Sequence, residues 1–141
     1  MKSTIRYAHF AAILCLGAAA PVYATSEVDA RAALARHGYV AVDDLEFEDG
    51  LWEADVRRAD GSRGEVAVDA GGRVHDARDG RPLLDAAAIS AILAGAGYRD
   101  IRELERDGAL WNVDAVAADG RRVELRLGGH DGSVLSEQQD D

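Results

Sequence analysis

Two pairs of carboxylates recur at one spacing in different parts of this chain: Asp55 with Glu65, and Asp114 with Glu124. On neighbouring strands such a pair could serve acid-base chemistry, one group giving a proton and the other taking it. Their repetition argues against that use. A catalytic pair is seldom needed twice, whereas a solvated sheet face returns whenever its sheet does. Ser62, Ser90, Ser133 and Ser136 fall in turns or on a helix, outside any Gly-x-Ser-x-Gly frame that would expose a nucleophile. His75-Asp76 and His130-Asp131 each pair a nitrogen with an oxygen ligand, and Asp79 lies close to the first. They are not copies of one another, and no Asp-Gly turn carries the alternating acids and closing Glu of a calcium loop. The chain therefore reads as a non-enzyme with no catalytic residues, no metal site and no cofactor.

The same carboxylates make better sense as one face of a sheet. Trp52, Ala54 and Val56 alternate with Glu53, Asp55 and Arg57, and Trp111, Val113 and Ala115 alternate with Asn112, Asp114 and Val116. A period of two marks strands with one buried and one wet face. Further strands are expected at 65–69 and 123–127, with shorter ones near 73–77 and 133–135. Glu53, Asp55, Glu65, Asp114, Glu124 and Arg126 are the candidate binding residues on the polar face. Tyr39, Trp52, Tyr98 and Trp111 are expected in the core, where an indole or phenol contributes more by packing than by stacking on a ligand. Keeping Val56, Val66 and Val68 on one face requires an odd loop around Gly61. A three-residue loop is expected to set Arg57 opposite Glu65.

Laid over itself with a shift of 59 residues, the chain matches at Gly38-Tyr39 with Gly97-Tyr98, Leu51-Trp52 with Leu110-Trp111, Asp60-Gly61 with Asp119-Gly120, and at both carboxylate pairs. At a shift of 60, Gly72 and Val74 fall on Gly132 and Val134. Internal duplication follows. Each copy opens with a helix. Ser26 caps the first, with Asp29 suited to the positive helix end, and Gly38 stops it. Asp85 caps the second and Gly97 stops it. Ile89, Ile92, Leu93 and Ala96 make one apolar stripe, matched more thinly by Ala30, Ala33, Leu34 and His37. The predicted fold is α+β: two tandem helix-plus-antiparallel-meander repeats (αββββ-type), with the helices on one face of the sheets. The halves are each marginal in size, so they are expected to pack together or share a continuous sheet.

Composition narrows the surroundings. Lys2 and Arg6 precede an apolar stretch from Phe10 to Ala20, then Val22-Tyr23-Ala24. That order suits an export signal cleaved after Ala24. The stretch is about 11 residues long, short of the roughly 20 of a membrane span, so no stable membrane anchor is expected after cleavage. The single cysteine, Cys15, falls within it. Beyond Ala24 there is no Cys, so disulfides and thiolate metal sites are excluded there. The whole chain has a net charge of −10; removing Lys2 and Arg6 leaves 14 basic residues against 26 acidic ones, or −12. Such a surface repels nucleic acid and anionic lipid, and leaves a basic protein, a cationic peptide or a cation as partner. The expected divisions are a signal peptide at 1–24, repeats at 25–80 and 81–135, and a frayed polar tail at 136–141.

The first copy runs through a helix ending in Gly38-Tyr39, the strand Leu51-Trp52-Glu53-Ala54-Asp55-Val56, an Asp60-Gly61 turn, and Val66-Ala67-Val68-Asp69-Ala70-Gly71-Gly72-Arg73-Val74. This resembles the PepSY family, whose units end in Val-x-Val-Asp-x-x-x-Gly-x-Val; the first copy is one spacer residue short. The second copy, Leu125 to Val134, keeps the spacing but has Gly128 in place of the Asp. The resemblance implies an extracytoplasmic module that binds other proteins, in some cases inhibiting a secreted peptidase. The pairing is similar to that of secreted beta-lactamase inhibitors built from tandem repeats. It carries no active-site residues over. The expected function is that of a periplasmic, non-catalytic protein-binding module with an unidentified protein or peptide partner, a peptidase among the candidates. The alternative is an envelope protein that responds to divalent cations through its negative charge.

Overall fold

The computed structural model describes residues 25–140, so the expected signal segment lies outside the described residues. The chain forms helix α1 (Glu27–Arg36), then strands β1 (Ala41–Glu48), β2 (Leu51–Arg57), β3 (Arg63–Val68) and β4 (Val74–His75). A second round follows: α2 (Ala86–Gly95), β5 (Arg99–Asp107), β6 (Leu110–Val116), β7 (Arg122–Gly128) and β8 (Val134–Gln139). Each round is an antiparallel four-stranded meander, in the orders β1-β2-β3-β4 and β5-β6-β7-β8. The fold is α+β, with two helix-plus-meander units. They form two separate sheets that pack together, and among the described residues no strand joins them into one.

Both helices start where a side chain can satisfy an orphan amide. Ser26 accepts from the Asp29 N–H, and Asp85 from the Ala88 N–H. Gly38 and Gly97 follow the ends with φ of +83° and +96°, a conformation that a Cβ would disfavour. On one sheet α1 lays down Ala30, Ala33 and Leu34, against Ala54, Val56, Val66 and Val68. On the other, α2 lays down Ile89 and Leu93, against Val113, Ala115, Val123, Leu125 and Leu127. The expected stripes are shorter than read, because His37 and Ala96 lie past the last helical turn and are exposed.

The likeness of the two units extends to detail. The indole N–H of Trp52 donates to the carbonyl of Thr25, and that of Trp111 to the carbonyl of Leu84, 27 residues earlier in each case. Asp55 opposes Glu65 and Asp114 opposes Glu124. Both first strands are bulged, with Asp44 and its counterpart Glu103 at φ of +48° and +49°, and Asp100 adding a second bulge to β5. Bulges on an outer strand twist its free edge away from pairing with another chain.

Three expectations need correction. The tail is not frayed: Ser136 to Gln139 belong to β8 and pair with β7, because an outer strand tolerates polar side chains on its exposed surfaces. The β2–β3 loop holds three residues as expected, closed by the Arg58 N–H on the Ser62 carbonyl, but it sits one residue earlier than read, which moves each pairing partner by two. Arg57 therefore opposes Arg63, and Glu65 falls opposite Asp55. Parity alone could not tell these registers apart. The aromatic set is also less uniformly buried than expected: Trp111 is 8% exposed, whereas Trp52, Tyr39 and Tyr98 are half-buried at the margins of their cores. Trp52 lies under Phe47, ring centroids 5.1 Å apart, and Phe47 is itself half exposed. Truncating Trp111 to Ala should cost about 3 to 5 kcal/mol in urea unfolding, and truncating Trp52 roughly half as much.

Candidate functional site

The face of each sheet opposite its helix is polar, and the two polar faces meet. Their contact is a small apolar cluster of Leu51, Ala67 and Leu110, with Leu135 packed against it. Leu51 is on the same face of β2 as Glu53, and Leu110 on the same face of β6 as Asn112 and Asp114. Beside this cluster Arg126 of β7 reaches across to pair with Glu53 of β2, while its Nε donates to the Asn112 side-chain oxygen at 3.2 Å. The pair is largely removed from water, with side chains 11% and 20% exposed. Beside this contact lies a groove of about 360 Å³ lined from both sheets.

The groove is strongly acidic. From the first unit it receives Glu48 and Asp49 at the β1–β2 turn and Glu53 on β2. From the second come Glu103, Glu105 and Asp107 on β5, Asp114 on β6 and Glu124 on β7, with Asn112 and Gln138 as neutral polar neighbours. Among the lining residues, Arg126 is the one cation, and Glu53 already engages it. The wall therefore presents an excess of carboxylate on a concave surface, which favours a basic ligand. No group of three His, Cys, Asp or Glu side chains among the described residues is arranged to hold a metal ion.

Of the residues expected on the binding face, Glu53, Asp114, Glu124 and Arg126 come together in this groove. Asp55 does not; it lines a separate hollow with Asp43, Arg57 and Arg63. Glu65 points into a narrow crevice between the units, shared with His75, Asp107 and Arg126. Burial, and then the nearby charges of Asp107, Glu53 and Asp55, push its carboxyl above the ordinary range, and Arg126 only partly opposes them. The β5 acids and the β1–β2 turn were missing from the sequence reading. Their bulges break the alternation that identifies a strand, but Asp-Gly at 49 and 107 does mark the two hairpins that carry them.

Two further polar clusters are structural. Asp69 accepts from the amides of Gly71 and Arg73 and lies 2.8 Å from the His75 Nε2. Burial works to raise its carboxyl, and these partners outweigh it and hold it low. Asp76 accepts from the Tyr39 hydroxyl at 2.8 Å and from the Arg58 guanidinium. Its carboxyl is likewise held low against burial, by Arg58, the Arg78 amide and Tyr39, and burial with the Asp76 bond pushes the Tyr39 phenol up.

Residues 70–138 match the family described as peptidase propeptide and YPEB domain, a span that covers β4, α2, β5 to β7 and most of β8. This span is thus similar to a PepSY-type domain. No curated protein matches the chain. The matched region holds the second unit and with it the β5, β6 and β7 wall of the groove. The first unit, outside most of that span, has the same element order, and its β2–β3 register corresponds to the β6–β7 register of the second. In the second unit Gly128 stands at the position of Asp69, and the geometry explains the change. A Cβ there would come within 2.8 Å of Asp131 Oδ1, the group that now accepts from the Ser133 amide and caps the turn.

The raised carboxyl gives a pH-dependent expectation. The ionised form of Glu65 is disfavoured in the folded state, so it costs stability at neutral pH, and the cost fades as acidification protonates it. Glu65→Gln should stabilise the protein by about 0.5 kcal/mol at pH 7. In chemical denaturation followed across pH, that gain should shrink as pH falls through the carboxylate range.

Proposed function

We propose that this protein is an exported, non-catalytic binding module that captures a basic segment of a partner protein between its two sheets. The observation that carries this reading is the convergence of eight carboxylates from both units on one concave groove beside a single, already paired arginine. Neither unit alone has such a surface. A solvated sheet face would scatter its charges outward, whereas this one turns them toward a shared volume. Opposite charge in a concavity raises the local concentration of a cationic ligand and speeds its association.

The family description names peptidase propeptides, which favours a peptidase as the partner class, with the module acting as its inhibitor or escort. The basic-then-apolar N-terminal sequence supports delivery to the periplasm, where such a partner would be met. The alternative of a divalent-cation response draws on the same negative charge, but it lacks a converging set of three ligands among the described residues.

Calorimetric titration with a short arginine- and lysine-rich peptide tests the proposal, with calcium as a parallel arm. Saturable peptide binding is expected. It should weaken about tenfold in the double variant Glu105→Gln and Glu124→Gln and fall with added salt, with little change in Tm. Peptide binding that the double variant leaves unchanged would place recognition elsewhere. Saturable calcium binding with no peptide binding would favour the cation reading.

A further inference from the structure

His130 lies in the turn that follows β7, and its side chain is 3% exposed. Its two ring nitrogens meet two main-chain carbonyls. Nδ1 is 3.1 Å from the Pro82 oxygen and Nε2 is 3.0 Å from the Asp76 oxygen. Both carbonyls belong to the segment that joins β4 to α2, so the imidazole stands between the connection and the second unit. A carbonyl oxygen only accepts, and a neutral imidazole has one N–H. Both bonds form together only when the ring carries two protons. We propose that protonation of His130 is a lock that ties the connection between the units to the β7–β8 turn, and that loss of the proton releases it.

The surroundings suit a charged ring. Asp79 Oδ1 is 3.3 Å from Nε2, and its other oxygen pairs with Arg81. From the same connection, Asp76 turns its carboxylate away to Arg58 and Tyr39. On the turn itself, Asp131 is occupied by Ser133 and, at 3.5 Å, by Arg73. From β4, His75 is held by Asp69. Asp79 is thus the carboxylate left facing the imidazole. When the proton leaves, a nitrogen lone pair faces a carbonyl lone pair, and one tie between the units is lost. The backbone bond from the Leu84 N–H to the Gly129 carbonyl remains on the same turn. Because the two bonds need two ring protons, the lock closes toward acid and opens toward alkali. It concerns the docking of the units and stands whether or not the groove takes a basic partner.

Nitrogen-15 spectra of the histidine rings and thermal melts of wild type and His130→Gln, both taken from about pH 5.5 to 8, test this. At the acid end the His130 ring should show two protonated nitrogens. Wild type should gain about 3 °C in Tm over His130→Gln there, and the gain should vanish toward the alkaline end. His37 and His75 are common to both proteins, so the difference between them isolates His130. A singly protonated His130 ring at the acid end would overturn the proposal. A Tm difference that does not change with pH would also overturn it. Should His130→Gln fail to fold, the ring spectra of the wild type decide alone.

Discussion

The structure depends on the docking of two sheets through faces that are mostly polar. Each unit has a helix on one side only, and a unit of this size has little apolar surface to bury. Docking removes Leu51, Ala67 and Leu110 from water on the far side of each sheet. At the rim it also pairs Glu53 with Arg126, where an unpaired carboxylate would be costly to shield. The acidic groove is a geometric consequence. The space beside the seam is lined by whatever the polar faces of the two sheets carry, and here that is mostly carboxylate.

Likeness and difference are both visible in the two units. Tryptophan anchoring, the facing acid pairs and the left-handed bulge residues Asp44 and Glu103 are shared. The differences cluster where the units serve different needs. Val123 and Ala117 are buried core residues in the second unit, while the first has Gly64 and Arg58 at those positions. A Cβ on Gly64 would run into the Arg58 guanidinium, which lies there to bind Asp76. The first unit thus ends its core in an ion pair that fixes the start of the connecting segment. In the second, Tyr98 donates to Glu137 on the outer strand.

Much of this was legible in the residue pattern, for identifiable reasons. The repeat shows in rare residue types, above all the two tryptophans. Helix limits show in Ser26, Asp85, Gly38 and Gly97, where backbone chemistry admits few alternatives. Less legible were β1 and β5, whose bulges reset the period of two, and β8, whose Ser-Glu-Gln-Gln run suits an outer strand as well as a loose end. Half of the candidate site escaped with them. Four of the six expected binding residues do meet in the groove, but only the docking of the sheets separates them from Asp55 and Glu65. Leu51 and Leu110 look like mere neighbours of the tryptophans in the sequence. Their role as the seam between units depends on tertiary contact and leaves no local signature.

The groove exists only if that seam holds the two units together. A double-mutant cycle in the intact chain, with Glu53→Gln, Arg126→Gln and the pair, measures it by equilibrium unfolding. Docked units predict a coupling of about 1 to 3 kcal/mol between residues that no local element connects. Additive effects would contradict it, since units that swing freely could not make this contact or the groove beside it.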